Sequence, residues 1–97
     1  MLRFELSVKA DTDLENIFSY GVDNFGLEQA LTFYHSLNDC FNRICMNPEH
    51  FQSVDYIKTG YKRAVFNTYS IFFIERDGYI EISRVMRKDD IKLAFDT

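Results

Sequence analysis

Residues 60–86 read GYKRAVFNTYSIFFIERDGYIEISRVM, and the way this run divides decides the fold. Asp77-Gly78 is a strong short-range hairpin signal, because a tight two-residue β-turn needs positive φ and glycine supplies it without steric cost. Asn67-Thr68 is a weaker turn that splits the first apolar run. Strands are therefore expected at about 61–66, 69–75 and 79–86, forming a three-strand meander. Residues 70–74, SIFFI, are apolar without alternation, as suits a central strand covered on both faces.

Upstream, Leu2, Phe4, Leu6 and Val8 alternate with Arg3, Glu5, Ser7 and Lys9, the period-two pattern of a half-buried strand. From Ala10 the period changes. Leu14, Ile17, Phe18, Val22 and Phe25 recur at helical spacing, and Asp11, Asp13 and Glu15 fill a first turn whose dipole favours carboxylates. This helix is expected to end near Gly26. A second helix carries Ala30, Phe33, Tyr34, Leu37, Phe41, Ile44 and Cys45 on one face and stops at Asn47-Pro48, since the residue before proline is pushed out of the helical region. Only Asn24-Phe25-Gly26 separates the two, so they fold back as an antiparallel hairpin.

The expected order is β-α-α-β-β-β: an α+β fold in two layers, with the helical hairpin packed on an antiparallel sheet. Ninety-seven residues allow one domain, spanning 1–97, which buries roughly 60 to 65 per cent of its unfolded surface. A content of 46% hydrophobic and 16% aromatic residues lies outside the range that leaves chains disordered. No apolar run approaches the ~18 residues a membrane helix needs, and the alternating start is unlike a secretory signal, so a cytoplasmic protein without a membrane partner is expected.

Charge is spread unevenly. Residues 1–57 hold nine acids and three bases, whereas residues 58–97 hold six acids and eight bases, giving a formal net charge of −4. Both expected helices are acidic, so neither makes a recognition helix for sequence-specific DNA binding. Cys40 and Cys45, five apart on a helix, point about 140° apart and do not pair. Neither His35 nor His50 completes a metal-ligand spacing, so no metal or other cofactor is expected. Asp89-Asp90 are adjacent and diverge, and no phosphate-cradling or nucleophile-elbow pattern occurs.

Several pieces, in this order and spacing, resemble the ParE toxins of bacterial type II toxin–antitoxin systems, in the RelE/ParE superfamily. They are Gly26 with Glu28-Gln29-Ala30 at the start of the second helix, Asn47-Pro48 closing it, IKTGYKR at 57–63, and ISRVM at 82–86. The resemblance covers nearly the whole chain. It implies a ribosome-dependent-nuclease fold without nuclease chemistry: a cytoplasmic bacterial inhibitor of DNA gyrase, held inactive in a hetero-oligomer with a ParD-like antitoxin. Family members commonly read Arg-Ile-Leu-His near the end of the last strand, where this chain has Arg84-Val85-Met86-Arg87.

The alternative is a RelE-like mRNA endonuclease, which needs a group to activate the 2′-hydroxyl, cations for the phosphorane and an acid for the leaving oxygen. Aligned through Gly60-Tyr61-Lys62, the chain offers Lys62 and one of Arg87 or Lys88. Ala64 and Ser70 stand where cations are wanted, and residues 91–97 hold Phe95 and no tyrosine. The constellation is incomplete, so no catalytic residue is expected. A third possibility is a non-toxic relative that only binds the antitoxin.

Two residue sets follow. Tyr61, Lys62, Arg63, Arg84, Met86, Arg87 and Lys88 are the candidates for contacting the target, either as a rim for an acidic partner or as solvated edge charges. Lys62 and Arg63 are expected on opposite faces of their strand. Leu14, Phe18, Phe33, Tyr34, Leu37, Phe41 and Tyr69 are the candidate anchors for an antitoxin that folds on docking, as an amphipathic helix beside the hairpin and an extended segment at the sheet edge.

Overall fold

The computed structural model describes residues 2–87. Strand β1 (Arg3–Leu6) leads into helices α1 (Val8–Phe25) and α2 (Leu27–Met46), then a single 3₁₀ turn (Pro48–His50). Strands β2 (Gln52–Ser53), β3 (Tyr61–Phe66), β4 (Tyr69–Arg76) and β5 (Tyr79–Arg87) follow. The two-layer α+β architecture, the hairpin and the meander are as the sequence implies.

Three details differ. The sheet, ordered β1-β5-β4-β3-β2, is mixed rather than antiparallel, because β1 runs parallel to β5 with Arg3 beside Tyr79 and Leu6 beside Ile82. Alternation marks a strand but carries no direction; the long crossover through the hairpin returns β5 beside β1 in the same sense. Second, α1 begins at Val8, two residues early. Ser7 caps it, its Oγ accepting from the Ala10 N–H at 3.0 Å and donating to the Ser83 carbonyl at 2.8 Å. Val8 therefore leaves the strand pattern and stands 85% exposed. Third, the short β2 pairs with β3 through Gln52–Arg63 and Ser53–Lys62, a ladder too brief to leave a periodic signal.

Gly26, at φ +90°, turns the chain between the helices, and Gly78 and Asn67 take positive φ at the two hairpin turns. A bulge where Phe72 faces Arg84 and Phe73 faces Ile82 makes Ser83 the extra residue. It resets the alternation, so Ile82 and Val85 both face the helices.

The main core lies between hairpin and sheet and includes Ala10, Leu14, Leu37, Phe41, Ile44, Ile71 and Phe73. A smaller cluster of Val54, Tyr61 and Phe72, flanked by Ile57, Ile74 and Met86, covers the opposite face. This is why SIFFI shows no alternation: β4 is buried on both sides. Cys40 and Cys45 are free, buried thiols, and loss of hydration on burial raises the pKa of both. Among the described residues, no helix is long and apolar enough to cross a membrane.

Candidate partner-binding groove

The apolar stripes of α1 and α2 face each other, with Phe18 against Tyr34, but the sheet covers only part of them. Gly21 and Ala30 let the helices approach closely; a Cβ on Gly21 would sit 3.4 Å from that of Ala30. Where the sheet ends, an open groove of about 1270 Å³ lies between the hairpin and the β3–β4 turn with the end of β5. That exceeds the ~300–1,000 Å³ of usual small-molecule pockets and suits a stretch of polypeptide.

Six of the seven expected anchors line this groove, Phe18, Phe33, Tyr34 and Tyr69 at its surface and Leu14 and Leu37 buried at its base. Phe33 is the hinge of the site, stacking edge-on against Phe66 at 5.4 Å and Tyr69 at 5.8 Å. Phe18 and Tyr34 meet edge-to-face at 6.0 Å. The seventh, Phe41, lies in the core against Phe4 at 5.2 Å and is absent from the groove. A continuous helical stripe does not reveal which turns the sheet covers. Ile17, Phe25, Leu27 and Phe66 were not singled out as anchors, although all line the groove. Ile17 and Phe25 belong to the α1 stripe, and Leu27 and Phe66 are apolar residues beside turns, signals that do not separate groove from core. Phe25 is 61% and Leu27 57% exposed, so these apolar side chains meet solvent.

The second residue set does not form one patch. Tyr61, Arg63, Arg84 and Met86 belong to the face turned away from the helices, with Arg63, Phe72 and Arg84 in one row across β3, β4 and β5. Lys62 and Arg87 lie on the helix side. Lys62 Nζ donates to the Pro48 carbonyl at 3.3 Å, whereas Arg63 Nε donates to the buried Ser70 hydroxyl at 2.9 Å, so the two do diverge as strand alternation requires. Tyr61 is buried, with the Lys58 ammonium 5.3 Å from its ring centre. Arg87 borders the groove beside its strand partner Tyr69. Lys88 lies outside the described residues, as do Asp89, Asp90, Lys92 and Phe95.

Arg84 is committed within the fold. Its Nε and Nη2 donate to Asp13 at 2.9 and 3.0 Å, and the Val85 N–H donates to the same carboxylate at 3.0 Å. These hydrogen bonds raise the Arg84 pKa further. The sequence pattern puts Asp13 in a dipole-compensating first turn; because α1 starts at Val8, Asp11 takes that place and Asp13 closes the edge of β5 beyond the point where β1 stops. Nothing in the sequence linked two residues so far apart.

Of the nuclease positions, Ala64 and Ser70 are buried and Lys62 is engaged with Pro48. Among the described residues, no group of three His, Cys, Asp or Glu side chains could hold a metal ion.

Residues 4–91 match the family model described as the ParE toxin of the parDE type II toxin–antitoxin system. The chain belongs to the ParE toxin family. Relatives within it include Toxin ParE1 of Mycobacterium tuberculosis, 28% identical over 87 residues and 89% of each chain. Toxin ParE1 of Caulobacter vibrioides is 29% identical over 89 residues and 91% of each chain. Among solved structures, a chain from the chromosomal ParDE toxin–antitoxin system of Pseudomonas aeruginosa superposes with a TM-score of 0.77 at 20% identity, covering 90% of this chain and 96% of that one. The ParE fold thus extends over the strand, hairpin and meander described above.

Proposed function

We propose that this ParE-family toxin acts by binding rather than by catalysis, with DNA gyrase as its target, and that a ParD-like antitoxin in the same cytoplasm silences it by filling the groove. The observation that carries the antitoxin reading is the open aromatic groove around Phe33, whose rim leaves Phe25 and Leu27 in water. An amphipathic helix laid there would bury those side chains, at about 25 cal/mol per Å² of apolar surface removed from water. Family membership supports a toxin, and the ParDE assembly of the structural relative supports the antitoxin partner. The gyrase target rests on family resemblance. The burial of Ala64 and Ser70 where an RNA-cleaving relative would want cations supports binding over catalysis.

Induction of the protein alone in a bacterial host tests this reading. Filamentation with a DNA-damage response is expected, and co-expression of the protein encoded by the adjoining reading frame should restore growth. Rapid loss of translation with mRNA cleavage would sink the gyrase reading.

A further inference from the structure

Among the described residues that line the groove, two are charged, Glu28 and Arg87, and they have opposite signs. Arg87 stands at the sheet end, paired across the strands with Tyr69, which stacks on Phe33. Glu28 lies in the first turn of α2, five residues before Phe33, or about 7.5 Å along the helix. The described lining therefore holds a negative side chain at the start of α2 and a positive one at the sheet end, with the aromatic surface around Phe33 beside them.

The surroundings reinforce the negative side. Residues 8–46, the two helices and their turn, carry six carboxylates and two cationic side chains, and among the described residues Asp13 alone of the six has an ion pair, with Arg84. With a Debye length of ~8 Å at physiological salt, Glu28 and Arg87 each act mainly on the partner charge next to them.

We infer that the segment seated in this groove is an amphipathic helix of fixed charge polarity, with a cation passing Glu28 and a carboxylate passing Arg87. The inference rests on the reading that the groove receives the antitoxin and adds to it the direction in which the segment runs. A uniformly acidic segment, the simplest complement to the basic C-terminal half, is repelled at Glu28. Exchanging the two charges would favour the reverse orientation, so the pair selects orientation and partner more than it adds affinity.

The test uses the full-length protein and the antitoxin from the adjoining reading frame, with affinity measured at low and physiological salt. Glu28→Lys and Arg87→Glu should each weaken binding by about three- to tenfold at low salt, with a smaller loss at high salt, as befits rim charges. A reversal scan of the antitoxin should then find one acidic-to-Lys change that rescues Arg87→Glu and, at a different position, one Lys/Arg-to-Glu change that rescues Glu28→Lys. Affinities within twofold of the parent, or no rescuing position, would overturn the polarity. Tyr34→Ala separates the two failures. If it weakens binding more than about tenfold while the reversals do nothing, only the polarity fails; if it too has no effect, the groove is not the binding site.

Discussion

The two halves of the helical hairpin carry the same kind of apolar stripe and meet opposite fates. Over the sheet, Ala10, Leu14, Leu37, Phe41 and Ile44 are buried. Around the α1–α2 turn, Tyr20, Phe25, Leu27, Leu31 and Tyr34 remain at least 39% exposed. The difference is set by how far the sheet reaches, not by residue type. A small domain rarely leaves a large contiguous apolar surface in water without a use for it. The covered half holds the fold, and the uncovered half is available for a partner.

Substitutions can break or sharpen this division. Phe41→Ala, in the covered half, should destabilise the protein by about 3–5 kcal/mol, read from urea unfolding, through lost transfer energy and a residual cavity. A loss below 1 kcal/mol would show that this half is not packed as described. Asp13→Asn comes next. It keeps the shape but removes the charge opposing a largely buried guanidinium, so a loss of about 1.5–3 kcal/mol is expected, and Arg84→Met in the same background should recover part of it.

Leu27→Ser, in the uncovered half, should leave unfolding within about 0.5 kcal/mol of the parent while weakening the antitoxin complex. Equal losses in both measurements would erase the distinction between halves. The smallest effect concerns pH. Cys40 and Cys45 have pKa values raised by burial above the ordinary 9.0, so well below that pH both thiols are protonated in folded and unfolded chains and leave stability unaffected. Above it the unfolded chain ionises first, and stability falls as pH rises. A thiol reagent at pH 8 should label them only on unfolding; rapid labelling of the folded protein would mean the covered half opens.

Local patterns made most of this fold legible. Alternation from Leu2 and the Asp77-Gly78 and Asn67-Thr68 turns placed β1, β3, β4 and β5, and Asn47-Pro48 placed the end of α2. What stayed hidden depends on residues distant in sequence. The direction of β1, the Ser83 bulge and the Asp13–Arg84–Val85 contact each depend on how elements are placed in space. The groove was half visible for the same reason. Periodicity identified Phe33 and Tyr34 as members of a stripe, but it assigned Phe41 to the same role because the edge of the sheet leaves no mark on a helix. Arg84 was read as a surface charge because a basic residue on a strand gives no hint of a carboxylate waiting on the first helix.

The parallel pairing of β1 with β5 also governs when the protein can come into being. The Ser7 hydroxyl reaches the Ser83 carbonyl across 76 residues of chain, and Arg3 to Leu6 find their strand partners in residues 79–82. During synthesis β1 and the hairpin emerge well before β5, the strand with which β1 pairs. Interrupted translation before β5 therefore yields a fragment in which β1 has no strand to pair with and Asp13 has no Arg84 to meet.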